Sequence, residues 1–370
     1  MPAGVGALLA APCRRFGLAA LALLAAVACS PPPAAAPSKP AGGQAGPAGQ
    51  SAPAGLTKLR VTQSVADSVA FIPIYVARYF NYFGDENLAV DVITTAGGGP
   101  DVAALVAGEA QFTAAGPINQ LALWQEGKKT LSVASFGDRL TVNMVMNKDV
   151  YAQKGLTAAS TADQKLAALK GAKVAISRRG ALTDMVTRMY AQRAGIDPEK
   201  DLTIIGTGAG QPQMAALEQG QVDLAAATTP TAESLVERGS GVMLFYNSGG
   251  EDPSLQPFTG YSVLVRDDYA RQNPEVVRAF ARAIVKANQW VLDHSADEAA
   301  EVMHFYLPTL PAETIAKDFG YIRAGVPADG CLSDKAVTAN IDLFRAAGLL
   351  RQEIKWTDIA TNEFLPAKCS

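Results

Sequence analysis

Residues 57–370 spell an α/β fold of two lobes, each a mostly parallel sheet flanked by helices. Three observations carry that expectation. The segment Thr95–Ala115 returns as Thr207–Ala227, 112 positions later, with nine of 21 aligned residues identical. So short an echo at such long spacing points to two related halves, not to a solenoid, whose repeats are shorter and more numerous. Each copy sits in the order strand, helix, strand, helix, and strands joined through helices run parallel. The length of this part of the chain suffices for two proper cores.

The elements follow in order. Leu59–Gln63 is a first strand, followed by the polar loop Ser64–Ser68. Pro73–Phe83 is a helix with Ile74, Phe80 and Phe83 on one side. Val90–Thr94 is a strand. The Gly-rich turn after it leads to Pro100 in a helix's first turn, where its missing N–H costs nothing. Ala103-Ala104-Leu105 gives that helix its apolar face, and Gly108 suits the left-handed position that stops it. Gln111–Ala115 is the next strand, and Gly116-Pro117 opens another helix. Leu131–Phe136 and Thr141–Met146 are strands, and Gly137–Leu140 carries the chain into the second lobe. There Lys173–Ile176 is a strand, Ala181–Ala194 a helix, and Leu202–Ile205, Pro212, Gly220, Val222–Ala226 and Pro230 repeat the earlier grammar. Tyr261–Arg266 returns the chain to the first lobe. Asn273-Pro274-Glu275 starts a helix, with Asn as cap and an acid at the positive end. That helix carries Val277, Phe280, Ile284, Ala287 and Val291 at helical spacing. Helices near Asp297–Tyr306, Pro311–Tyr321 and Ser333–Ala347 complete a helical cover.

The first 28 residues read as an export signal: Arg14-Arg15, the apolar run Phe16–Val27, then Ala28 before Cys29. This pattern resembles a bacterial lipoprotein signal with Cys29 as the lipidated first mature residue, although Ala26 stands where Leu is usual. Plain secretion is the alternative. Residues 29–56 are rich in Pro, Ala and Gly with Lys39 as their only charge, which cannot bury enough surface to fold and makes a tether. Loss of Arg14 and Arg15 with the signal takes the formal charge from -3 to -5 and leaves no basic stripe for nucleic acid. Cys331 and Cys369 remain in the body; in an oxidising compartment they form a disulfide or stand as two thiols.

With the elements placed, the chain resembles the periplasmic solute-binding proteins of ABC importers, in the branch for nitrate, sulfonates, taurine and thiamine-pyrimidine precursors. Four segments carry the resemblance: Pro73–Phe83, Ala104–Gly116, Gln219–Ala225 and Leu169–Ile176. Asn81 stands where Gly is usual in the first, and Gln111 replaces the usual Asp in the second. The resemblance implies the type II two-lobed fold with hinge strands. Lobe 1 is then 57–139 plus 248–370, and lobe 2 is 140–247. It further implies a monomer that closes on a small molecule and delivers it to an ABC permease with its ATPase, held to the membrane by its lipid. A ligand-sensing module for a membrane receptor is the alternative. An enzyme like the thiamine-pyrimidine synthases is a third reading, but it lacks the reactive histidine and cysteine cluster of that chemistry.

In parallel sheets ligands sit beyond the carboxyl ends of the strands. Candidate ligand-binding residues are therefore Ser64, Asp67, Phe71, Gly97, Gly98, Gly116, Pro117, Asn143, Ser177, Arg178, Gly180, Thr228 and Tyr246. Ser177 to Gly180 lies between a strand and a helix, where free N–H groups and the helix dipole suit an anion such as a sulfonate; an ordinary N-cap beside solvated Arg178 and Arg179 is the plain alternative. Asp67 suits a cationic or N–H-bearing group, or a loop cap. The glycines also serve as simple turn punctuation. No cofactor and no metal is expected, since His294 and His304 have no matching cluster. No Ser-His-Asp arrangement and no phosphate loop is present either.

Overall fold

The computed structural model describes residues 55–63, 69–95, 99–308 and 310–369. The export signal, Cys29 and nearly all of the tether lie outside the described residues, as do Ser64, Asp67, Gly97 and Gly98. Residues Gly49–Ser370 form one compact unit.

In chain order the first lobe contains β1 (Thr57–Gln63), α1 (Ile72–Tyr79), α2 (Tyr82–Asp85), β2 (Leu88–Thr94), α3 (Pro100–Ala107), β3 (Phe112–Ala115), α4 (Pro117–Gln125) and β4 (Thr130–Gly137). The second lobe follows with β5 (Val142–Asn147), α5 (Lys148–Gln153), α6 (Ala162–Ala167), β6 (Lys173–Ile176), α7 (Leu182–Arg193), β7 (Thr203–Gly206), α8 (Gln211–Glu218), β8 (Leu224–Thr228), α9 (Thr231–Glu237) and β9 (Gly241–Phe245). The chain then gives β10 (Tyr261–Arg266), α10 (Asp267–Gln272), α11 (Pro274–Asp293), α12 (Ala296–Tyr306), α13 (Ala312–Arg323), α14 (Asp334–Ala346) and α15 (Trp356–Ile359).

The strands build two five-stranded sheets of one design, β2-β1-β3-β10-β4 and β7-β6-β8-β5-β9. β1 runs parallel to β2 and β3, and β6 runs parallel to β7 and β8. One strand in each sheet is antiparallel to its neighbours, β10 in the first and β5 in the second. The reason is topological. Each enters directly from the other lobe, at the edge where the parallel strands end, and must run back against them. The echo thus describes two copies of one sheet, with β3 and β8 in equivalent places.

Local conformations follow the residues. Gly108 and Gly220 adopt left-handed backbone, φ 79° and 66°, where α3 and α8 stop. The helix expected over Pro73–Phe83 breaks in two because Asn81 is left-handed at φ 58°. Asparagine is among the few side-chain-bearing residues that tolerate this region, which accounts for its use where Gly is usual. Two local expectations need correction. Asn273 makes no side-chain cap on α11; its amide donates to the Tyr269 carbonyl (3.1 Å) and closes the preceding α10. The strand expected over Val222–Ala226 begins at Leu224, since Asp223 accepts from Lys173 N–H through its carboxylate (2.8 Å) at the edge of the ladder.

The first core packs α11 across the sheet: Val277, Phe280, Ile284, Ala287 and Val291 are all buried. Phe280 stacks on Phe112 of β3 with centroids 4.2 Å apart. The second core is not confined to the second sheet. Val337, Ile341 and Phe344 of α14 join Met185, Val186 and Met189 of α7 and also Ile118 and Leu121 of α4. The C-terminal segment therefore packs on helices of both lobes. Cys331 and Cys369 are bonded at S–S 1.96 Å, which ties the tail to the loop before α14.

Candidate functional site

The chain crosses between lobes at residues 138–141 and again after β9, before β10. These crossings bring backbone against backbone. A Cβ at Gly116 would lie 2.6 Å from the Gly260 carbonyl oxygen, and one at Gly260 would lie 2.3 Å from that of Arg139. The glycine at 116 thus answers to close chain packing. Gly116→Ala is expected to cost about 1–3 kcal/mol in urea denaturation, the usual penalty for overpacking; an unchanged midpoint would show that the crossover is slack.

Beside the crossings lies a cavity of about 20 Å³, space for little more than one water. Ala70, Phe136, Gly137 and Tyr261 line it from the first lobe; Thr141, Thr229 and Ser248 from the crossing and second lobe; Tyr321, Ile322 and Gly325 from α13 and the turn after it; Arg139 completes it. An organic solute enters only if the walls move apart.

Behind Thr229 and Ser248 stands Glu233 in the first turns of α9, 5% exposed. Its Oε1 accepts from Asn143 Nδ2 (2.9 Å), Thr229 Oγ1 (2.9 Å) and Ser248 Oγ (3.1 Å). Its Oε2 is buried and has no hydrogen-bond partner. Burial raises its pKa, against the pull of its own backbone N–H and of those hydroxyls. Asp318 of α13 is 4% exposed, and burial first and the Glu233 charge second push it up to about 7. Asp138, in the first crossing, is pushed up to about 6 by burial; Ser135 Oγ donates to it and Asp329 repels it. The cations nearby are committed elsewhere. Arg139 donates to the Ser248 carbonyl (2.8 Å), and Lys317 pairs with Glu237.

The sequence candidates divide over this geometry. Asn143 holds Glu233, Thr228 is the last residue of β8 beside it, and Tyr246 lies close enough for the Glu233 and Arg139 charges to act on it. Phe71 is a buried core aromatic, edge-on to Tyr261 at 5.5 Å, and Pro117 is buried at the start of α4.

The anion-binding geometry expected at Ser177–Gly180 takes another form. Ser177 does not cap α7, whose N-cap is Ala181. Ser177 N–H donates to Thr183 Oγ1 (3.1 Å) and Gly180 N–H to the Asp184 carboxylate (2.8 Å). The helix's own acid thus takes one of the N–H groups that an anion would use. Arg179 is an exposed surface residue paired with Glu199. Arg178 acts across the cleft, its charge lowering the pKa of Asp101, which burial raises.

Sequence reasoning missed Thr229, Glu233, Ser248, Arg139 and Asp318. The echo held a signal for one of them. Read on past its end with one residue inserted in the second copy, Pro117-Ile-Asn-Gln120 matches Pro230-Thr-Ala-Glu233 at the start of the next helix. The sheets hold the uninterrupted register up to that point: Ser262 pairs with Ala115 and Asn143 with Ala227, which are equivalent positions of the two copies. The extra residue therefore falls between β8 and Pro230. Gln120 is fully satisfied, donating to the Thr130 and Ile359 carbonyls and accepting from Ser132 Oγ. The other pair behaves alike. Gln213 donates to the Ala175 and Ala226 carbonyls, whereas its counterpart Asp101 is fully buried with neither carboxylate oxygen partnered. Each lobe has one settled amide and one unsettled acid.

Among the described residues, no group of three or more His, Cys, Asp or Glu could hold a metal, and no helix is long and apolar enough to cross a membrane.

Known proteins share both sequence and fold with this chain. The profile of the NMT1-like family matches residues 57–305. "Putative binding protein YtlA" of Bacillus subtilis is 27% identical over 250 residues, 67% of this chain and 70% of YtlA. The alkanesulfonate-binding protein SsuA of Xanthomonas axonopodis, bound to MOPS, superposes at TM-score 0.63 and 20% identity, covering 82% of this chain and 98% of SsuA. The desulfurization enzyme DSZB has the same fold at TM-score 0.58 and 13% identity, over 82% of this chain and 97% of its own. The two-lobed fold of periplasmic binding proteins therefore serves binding and catalysis alike.

Proposed function

The chain belongs to the NMT1-like family, and from that premise we propose that it is an extracytoplasmic solute-binding lipoprotein. It captures a small molecule between its lobes and delivers it to an ABC importer, anchored by lipid at Cys29. The observation that carries this reading is the small cavity at the chain crossings, where both lobes and α13 contribute walls and the incompletely satisfied Glu233 carboxylate lies behind two of the lining hydroxyls. Few convergent polar groups among apolar and aromatic walls are what a small-molecule site requires. Closure then follows from ligand binding one arrangement of the lobes better than the other.

Two measurements test the parts separately. Mass spectrometry of the membrane fraction is expected to find a diacylglyceryl group on Cys29; a soluble, unmodified mature chain would remove the anchor. Deletion of the gene is expected to abolish uptake of a solute that raises the protein's melting temperature. Normal uptake in the deletion strain would turn the reading toward ligand sensing.

A further inference from the structure

We propose that Glu233 and Asp318 form the recognition wall of the inter-lobe pocket and that the solute presents a protonated nitrogen to them. This inference deepens, and rests on, the solute-binding reading above.

Three observations lead to it. The Glu233 carboxylate stands directly behind the cavity wall, because two of the donors to its Oε1, Thr229 and Ser248, themselves line the cavity. One oxygen is thereby saturated while the other is buried without any donor. A buried polar atom left unpaired costs about 1–3 kcal/mol, more when charged, so an N–H brought to Oε2 recovers a standing penalty. Asp318 shares a face of α13 with the cavity-lining Tyr321 and Ile322, three and four residues on, which puts a second buried acid behind the α13 side of the cavity, near enough for the Glu233 charge to act on it.

The internal repeat supplies a control. Three residues after the helix-opening proline, where the second lobe has Glu233, the first lobe has Gln120, an amide with both ends bonded inside the fold. The scaffold therefore accepts a neutral, satisfied residue here. The acid is the departure, and among the described residues its second oxygen has no hydrogen-bond partner.

Charge counting agrees. Arg139 is the basic residue lining the cavity, and it already donates to the Ser248 carbonyl. Lys317 is paired with Glu237, whose carboxylate adds to the negative field and also accepts weakly from Tyr321 Oη (3.5 Å). At the helix start where an anion would otherwise bind, Asp184 already holds the Gly180 donor. An ammonium or amidinium group is complementary to two acids facing one committed arginine, whereas a sulfonate is not.

The test uses the mature chain in thermal-shift and calorimetric titrations. One panel holds monoamines, diamines such as putrescine, and benzamidine; the matched panel holds alkanesulfonates, carboxylates and nitrate. The amine panel is expected to contain the solutes that raise the melting temperature. Glu233→Gln should weaken the best amine about 10- to 100-fold, the worth of a hydrogen bond to a charged group, and Asp318→Asn should weaken it to a lesser degree. Each variant's own melting midpoint without solute establishes that it folds. Binding from the anion panel alone, or amine affinity unchanged in Glu233→Gln, overturns the assignment and leaves the solute-binding reading standing. Silence from every member of both panels also overturns the assignment, while the solute-binding reading stands or falls separately with uptake in the deletion strain.

Discussion

Asp318→Asn is expected to stabilise the ligand-free protein at pH 8 by about 2–4 kcal/mol and to change little at pH 4. The cause is the raised pKa of Asp318, about 7 in the folded chain against its ordinary 3.8. Below about pH 4 the carboxyl is protonated in both folded and unfolded forms and contributes no pH dependence. As pH rises from about 4 to 7, the unfolded chain gives up its proton first, so folding becomes less favourable by about 1.4 kcal/mol per unit at the steepest. The whole loss is present above pH 7, and asparagine removes it. Urea denaturation at pH 4, 6 and 8 measures the difference. Asp138, raised to about 6, tilts stability in the same direction and should leave a smaller slope below pH 6 in the variant. Parallel pH curves for wild type and variant would show that the Asp318 proton is not linked to folding.

Reduction of the Cys331–Cys369 bond, or replacement of both cysteines by serine, is expected to cost about 4 kcal/mol. The bond spans a sequence separation of 38, and closing a loop of that length removes about this much entropy from the unfolded chain. For a body of this size the melting temperature should fall by roughly 5–10 °C. The loop contains α14 and α15, which pack on α4 and α7. The loss should therefore appear as faster amide exchange in α14 before it is felt in α11. Calorimetry with and without reductant measures the total, and equal midpoints would show that the tail is held by packing alone.

The sequence carried the fold well where local chemistry decides it. The echo located β3, β8 and the helices that flank them, and Gly108 and Gly220 stand in the left-handed positions that end α3 and α8. Spacing alone placed the buried face of α11. It carried the site poorly. Glu233 in a first turn reads as a routine complement to the helix dipole, and only long-range packing of β5, α9 and the residues after β9 buries it. Asp318 left a fainter trace: it falls on the same stripe as Ile315 and Ile322, where an acid is out of place. Ser177 misled as a helix cap because the N-cap of α7 lies four residues further on, at Ala181, with Asp184 taking the Gly180 N–H. Asn273 misled for a related reason, since α10 ends where α11 begins and takes the side chain for itself.

The packing of α14 across both lobes fixes which way they can part. On that flank the apolar contacts of Val337, Ile341 and Phe344 with α4 and α7 act as a pivot, and separating them would expose core. On the other flank the cavity walls set Thr141, Thr229, Ser248 and Arg139 among Ala70, Phe136, Tyr261 and Ile322. A parting of the lobes on that flank would leave the pivot intact and wet a mixed wall of hydroxyls, an arginine and a few apolar side chains. On the proposed solute-binding reading, an occupant that favours the shut arrangement would have to supply only the free energy of re-covering that wall, and its departure would release it.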